Sequence, residues 1–398
     1  MYSNQTASPG ITRSVKIAVI QPALRLADQD WNLRHIAGLV RDAVREHNPE
    51  VVVLPEAYNT PNVYHEVLRT TPVPIDGEPY QQLKRMAAEH DCWVCGGFVS
   101  LRGAAPRHSY VMAEPDGTTY IHDKDEPSVW EYCYYTAGQD DGVFRTPLGR
   151  IGCSMGFETA RTRTARRMRS GGVQLILGGD CWPSWPSWPS PGRVFEREQE
   201  YYMLWAADTP SNLARAVGAP AAVAFHVGPI DTQTQGLPGL NYPTIMTGES
   251  QIVGADGQVL ARLSYRDGEG IIAATVEVGD PRPADEICSA FWLRPNTFLM
   301  NSFWHWSKNH ARLRYRYDLL RRRFPWQGST YPDLPGYNPG STKTSSDPYG
   351  GPGPFDKHKA PKSDRPLAQT LFGDREIPRL STTVQTRPVT TVESRPPN

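Results

Sequence analysis

The chain has 398 residues, with 42 lysines plus arginines against 42 aspartates plus glutamates, so its formal net charge is zero. That balance sets up no overall field toward nucleic acid or an anionic membrane, and it points to a small molecule or another protein as the partner. The length accommodates one large domain with extensions, or two domains, and a sizeable core.

In chain order, residues 1–13 include "MYSNQTASPGITRS" without its last residue and read as a flexible N-terminus. The segment lacks the basic start and apolar run of a signal peptide, and no stretch of about 18 apolar residues follows, so a cytoplasmic protein without a membrane span is expected. "VKIAVIQPAL" (15–24) is short, apolar and β-branched, which predicts a buried strand. "DWNLRHIAGLVRDAVREHNP" (30–49) spaces its apolar residues as a helix does. "EVVVLPEAY" (50–58) predicts a second buried strand with Glu56 on its C-terminal edge. A helix at 78–90, a strand in "CWVCGGFVSL" and a hairpin turning at Asp116-Gly117 come next.

"GRIGCSMGFETARTRTARRMRSGGVQLILGG" (149–179) then reads as strand, tight turn, helix, strand. A helix at 195–207, a strand at 220–228, a hairpin at 248–263 with Asp256-Gly257 at its tip and a strand at 268–280 complete the alternation. Alternating strands and helices predict an α/β domain over 14–280. Residues 281–328 form an aromatic, basic extension ending in a helix, and 329–398 are a Pro/Gly/Ser/Thr-rich tail of disordered composition. The repeat "WPSWPSWPS" (182–190) follows a buried strand, and with Tyr132, Tyr134 and Tyr135 it suggests an aromatic-lined pocket.

The six cysteines fall mostly in apolar runs, as small buried hydrophobes do. Cys92 and Cys95 form a CxxC with no second CxxC and no histidine pair at zinc spacing, so neither a disulfide scaffold nor a metal is expected, and nothing calls for another cofactor. Three charged residues stand where burial is unfavourable: Glu56 at a strand end, Lys124 after "TTYIHD", and Glu131 among tryptophan and tyrosines. Together they have the makings of a general base, an oxyanion stabiliser and a carboxylate that holds the lysine in place.

With "KIAVIQ", "VVVLPEAY", "KDEPSVWEYCYYTAGQDDG" and "GESQIVGADGQVLARL" in this order, the chain resembles the nitrilase, or carbon–nitrogen hydrolase, superfamily over 14–280. The resemblance implies a four-layer α-β-β-α sandwich and a homodimer or higher homo-oligomer that acts on a small nitrogenous molecule. It implies Glu56 as the base, Lys124 as the oxyanion-stabilising lysine and Glu131 as a second, substrate-facing glutamate. The family's strand–cysteine–aromatic–acid motif aligns without a gap on "MGFETARTRTARRMRSGGVQLIL", with the aromatic at Phe157 and the acid at Glu158. The catalytic cysteine then falls on Gly156.

A glycine there tolerates the strained geometry of a nucleophile elbow, and it predicts a thiomethyl-sized hole beside Glu56 and Lys124. Cys181, after the strand "LILGG", is the candidate substitute nucleophile, ahead of Cys133 and of Cys153, which faces the other side of its strand. Tyr132, Phe157, Glu158, Asp180, Trp182 and His226 are the candidate substrate contacts. Three readings stay open at this point. They are a C–N hydrolase acting without a cysteine, altered acid–base chemistry such as elimination or condensation, and a ligand-binding or assembly subunit.

Overall fold

In the first strand, Val15, Ile17 and Val19 join one hydrophobic cluster while Ala18 and Ile20 join another, and all five are fully buried. A strand buried on both faces needs a cover on each side, and the layers follow from that. The computed structural model describes residues 12–331 apart from 104, 187–190 and 238. Most of the predicted N-terminal segment, nearly all of the predicted tail and the last four residues of the tryptophan–proline repeat lie outside the described residues.

The elements are β1 (Arg13–Gln21), α1 (Gln29–His47), β2 (Val51–Val53), β3 (Val73–Pro74), α2 (Glu78–His90), β4 (Trp93–Arg102), β5 (Ala105–Ala113), β6 (Thr119–Asp123), β7 (Val143–Thr146) and β8 (Gly149–Met155). They continue with α3 (Thr162–Ser170), β9 (Leu175–Asp180), α4 (Val194–Val217), β10 (Ala221–Phe225), β11 (Val227–Gln233), β12 (Asn241–Thr247), β13 (Ser250–Val253), β14 (Val259–Leu263), β15 (Gly270–Val278) and α5 (Phe298–Leu320).

One sheet runs β15-β1-β2-β4-β5-β6, with β3 also on β4, and the other runs β14-β13-β10-β9-β8-β7. Val15, Ile17, Val51, Val53 and Cys95 of the first sheet meet Cys153, Leu175, Leu177 and Ala222 of the second in one cluster. On the outer face of the first sheet, Ile36, Val40, Leu83 and Met86 of α1 and α2 pack on Ala18, Val52 and Val94. On the outer face of the second, Ala165, Met168, Leu213 and Val217 of α3 and α4 pack on Ile176, Ala221 and Val253. The result is the α-β-β-α sandwich.

β1, β2 and β4 are mutually parallel, as are β8, β9 and β10. Ligands of such sheets collect beyond the strand C-termini. Glu56, Met155 and Asp180 stand at or just beyond three of these ends.

Two elements differ from the sequence expectation. α4 runs ten residues beyond the predicted 207, straight through Pro210, while the Thr209 hydroxyl bonds back to the Trp205 carbonyl. The predicted strand at 220–228 divides at His226, where β10 leaves its sheet and β11 starts a separate hairpin with β12. The basic helix of the extension, α5, lies on its own chain. Its Ala311 packs with Cys133 and Tyr134, and Lys308 and Arg312 lie over the ring of Tyr132. No helix among the described residues is long and apolar enough to cross a membrane.

Candidate active site

Beyond β2 the chain turns through Leu54-Pro55, and Glu56 enters a fully buried space between the two sheets. Ala57, the next residue, takes a left-handed φ of 57°, a conformation unfavourable for a residue with a Cβ. Gly179 at the end of β9 lets the backbones close here, because a Cβ on it would collide with the Glu56 nitrogen.

Lys124, the first residue after β6, reaches the same space. Its Nζ donates to Glu56 Oε2 and to Glu131 Oε1, each at 2.9 Å. Glu131 sits in a short 3-10 turn, Val129–Cys133, preceded by Ser128. The Ser-x-x-Glu spacing lets Glu131 Oε2 accept the Ser128 N–H, and Oε1 also accepts from Asn62 Nδ2 at 2.8 Å. Asn62 is a partner that sequence reasoning missed, with no pattern around it to mark it.

Two carboxylates and one ammonium, all buried, would leave a net charge in a dry site. Burial and then the Glu131 charge raise Glu56 to about 8 against the pull of Lys124, which favours its protonated form. Burial disfavours the charged Lys124, but Glu131 and Glu56 outweigh it and raise its pKa.

Gly156 opens the turn after β8 at a φ of 53°. The hole expected there is filled: a Cβ on Gly156 would sit 2.5 Å from Glu56 Oε1 and 2.7 Å from Lys124 Nζ. The Glu56 and Lys124 side chains lean into the volume that a larger residue would take.

Cys181 donates its backbone N–H to Glu56 Oε1 at 3.0 Å, while its sulfur accepts the Asn62 N–H and lies 3.6 Å from the Asn62 carbonyl. Burial, and then the Glu56 charge, push the Cys181 thiol well up, so it remains a thiol. Its contribution is a main-chain donor to Glu56, a role that a side-chain reading cannot find. Cys133 and Cys153 are likewise buried with raised pKa values, Cys133 to about 12.

Asp180 stands fully buried beside Gly156, and the Thr159 hydroxyl donates to its Oδ1 at 3.0 Å. Burial and Glu56 raise its pKa well above the usual carboxylate range. His226 donates from Nε2 to the Glu56 carbonyl at 2.6 Å, and burial lowers it to about 4, so it is neutral. It supports the Glu56 backbone from behind. His108 lies 3.6 Å from Glu56 Oε2 and is neutral, because burial and then Lys124 lower it.

Glu56, His108 and Glu131 bring three ligand-type atoms within 4.8 Å of one another. The Lys124 ammonium, bonded to both carboxylates, stands among them in the place of a metal cation.

Glu158, a candidate substrate contact, is engaged within the chain. Its Oε2 accepts the Met155 N–H and its Oε1 the Asp125 N–H, both at 2.9 Å, while His122 Nε2 lies 3.0 Å from Oε2. Burial opposes charging His122, yet Asp140 and Glu158 raise it to about 10, so it is an imidazolium. Arg161, fully buried, pairs with Asp125 on the far side. Glu158 thus ties the Gly156 turn to the Lys124 strand end.

Of the other candidate contacts, Phe157 stacks on Trp182 with ring centroids 4.6 Å apart. Trp182 itself belongs to the core, with Tyr202, Trp205 and Phe225 around it. Tyr132 turns to Glu126 and the cations of α5, and Tyr134 and Tyr135 are buried. A pocket does adjoin the cluster at Phe157, Val129 and Trp130, but its walls come from Trp185, from β11 and from α5 rather than from these tyrosines.

The carbon–nitrogen hydrolase family model matches residues 16–284. A probable nitrilase of Schizosaccharomyces pombe is 22% identical over 281 residues, covering 67% of this chain and 90% of the relative. Among solved structures, a carbon–nitrogen hydrolase from Helicobacter pylori G27 aligns with a TM-score of 0.55 at 21% identity, covering 66% of this chain and 89% of that one. An amidase from Nesterenkonia sp. AN1, with acrylamide added to its active-site cysteine, aligns with a TM-score of 0.52 at 16% identity over 69% of this chain and 95% of that one. At these identities the structural likeness speaks to the fold.

Proposed function

Because the chain belongs to the carbon–nitrogen hydrolase family, we propose that it cleaves a C–N bond of a small nitrogenous molecule by acid–base catalysis, with Gly156 where relatives carry a cysteine. The observation that carries this reading is the Glu56–Lys124–Glu131 cluster facing Gly156 with no ionisable thiol at the turn. In the ionised form, Glu56 takes a proton from water as the water oxygen bonds to the carbonyl carbon. The carbonyl electron pair moves to its oxygen, opposite the Lys124 ammonium. As the C–N bond breaks, the proton held by Glu56 passes to the leaving nitrogen, giving a carboxylic acid and an amine. Glu131 keeps Lys124 aimed, and the Cys181 N–H orients Glu56.

Losing a covalent nucleophile removes up to about a millionfold of rate, with about a thousandfold over water left to binding and charge stabilisation. Slow turnover is therefore expected. The deciding comparison is steady-state hydrolysis of a neutral amide panel by wild type, Glu56→Gln and Cys181→Ala. Glu56→Gln should abolish activity and Cys181→Ala should keep it. Loss of activity in a folded Cys181→Ala protein would sink the proposal and restore a thiol mechanism.

One observation favours a second reading. Glu56, Lys124 and Glu131 are closed off from solvent, as they would be in a ligand-binding or assembly subunit that never turns over. In that case Glu56→Gln changes affinity or stability while no member of the panel is hydrolysed by wild type.

A further inference from the structure

Beside the buried cluster lies a pocket of about 420 Å³, within the size range of small-molecule sites. It shares two segments with the cluster. Phe157 follows Gly156, and Val129 and Trp130 precede Glu131. Val129 holds a left-handed φ of 39°, rare for a β-branched residue, so the wall joining pocket and cluster is kept in a strained conformation.

Three features define what the pocket can hold. No lining residue among the described ones is charged, so they offer nothing to offset a charge brought out of water. Its walls are rich in rings, among them Trp130, Phe157, Trp185, Phe303 and Trp306. Aromatic faces and edges of this kind favour a flat π-system over an aliphatic chain of equal area. Finally, Trp130 Nε1, Ser184 Oγ and Thr234 Oγ1 are buried without a hydrogen-bond partner, and all three residues line the pocket. Ser184 is only 4% exposed. Buried polar atoms are almost always paired, so three orphans around one space call for a polar guest. The indole N–H can only donate, which requires an acceptor on that guest.

We infer that this pocket binds an uncharged aromatic or heteroaromatic group carrying a hydrogen-bond acceptor, the non-reacting part of the substrate. The inference rests on the acid–base reading for the reacting end and goes beyond it in naming an aryl-bearing amide as the substrate class. Part of the pocket is built outside the family-matched segment. Met300, Phe303 and Trp306 come from α5, beyond residue 284. Part of the selectivity therefore comes from this chain's extension.

The test is calorimetric titration of the full-length protein with benzamide, 2-naphthamide, acetamide and anionic 4-carbamoylbenzoate. Both neutral aryl amides should bind at least about tenfold tighter than acetamide, and the anion at least about tenfold weaker than benzamide. Trp306→Ala and Leu237→Asp change lining residues that are 49% and 55% exposed, so folding is not at stake. Each should weaken benzamide binding at least about fivefold. Equal affinity for acetamide and the aryl amides, or aryl affinity indifferent to both substitutions, overturns the inference. Hydrolysis followed on the same samples separates the two proposals. Tight aryl binding without turnover leaves the pocket standing and removes the acid–base reading. Turnover with no aryl preference does the reverse.

Discussion

Gly156→Ala tests most directly how the centre of the site is filled. The substitution adds one methyl group, and that methyl would lie 2.5 Å from Glu56 Oε1 and 2.7 Å from Lys124 Nζ. One or both side chains must withdraw, which breaks or bends the 2.9 Å bond between them. Losing a charge-assisted buried hydrogen bond costs about 1.5–3 kcal/mol. The φ of 53° at this position adds about 1–2 kcal/mol for any residue with a Cβ. Allowing for partial relaxation, the variant should lose about 2–4 kcal/mol, which is about 1 M in urea midpoint for a chain of this size. Urea unfolding followed by tryptophan fluorescence reads this directly, and the turnover rate should fall with it as the ammonium leaves the reacting position. A thiomethyl-sized void at Gly156 would accept the methyl without strain against its neighbours. A midpoint within about 0.2 M of wild type would therefore refute the filled-site geometry.

Glu56 makes stability and activity respond to pH in opposite directions. Its pKa is raised from 4.5 to about 8 in the folded protein, so the stabilisation is full below about 4.5 and is lost as pH rises through about 8. Unfolding free energy should decline across that window in wild type and much less in Glu56→Gln, while hydrolysis should increase through about pH 8 as the base ionises. Lys124→Met leaves Glu131 buried without its cation and should cost about 3–5 kcal/mol, measured by thermal or urea unfolding. Family resemblance predicts a homodimer or higher oligomer, which sedimentation velocity of the full chain at micromolar concentration would establish or exclude.

The layered fold was legible because its strands are short apolar runs at regular spacing, and a run buried on both faces has few alternatives. Glu56, Lys124 and Glu131 stood out for the same reason, as charges where burial is unfavourable. Their meeting in one space was carried by the order of four segments, not by any one of them. The occupancy of the Gly156 volume was not legible, since it depends on where two long side chains come to rest. Cys181 drew notice for its sulfur, while the structure uses its peptide N–H, which every residue but proline offers alike. Glu158 sits beside a candidate nucleophile position, and adjacency in sequence does not reveal that its carboxylate bonds the peptides of Met155 and Asp125. The share of the tryptophan–proline repeat in an aromatic pocket was legible, but that of α5 was not, because α5 is remote in sequence from the Phe157 turn and from β11.

The carboxylate of Glu158 bears on how the protein can move. One oxygen is bound to the peptide of the Gly156 turn on the second sheet and the other to the peptide after Lys124 on the first. With an imidazolium on one side and two arginines near it on the other, this anion acts as a rivet through both layers. A hinge between the sheets would have to pull that rivet out, so breathing of the sandwich is not how a guest reaches Glu56. On the acid–base reading, a guest would have to come from the side of the pocket, past Trp130 and the inner face of α5.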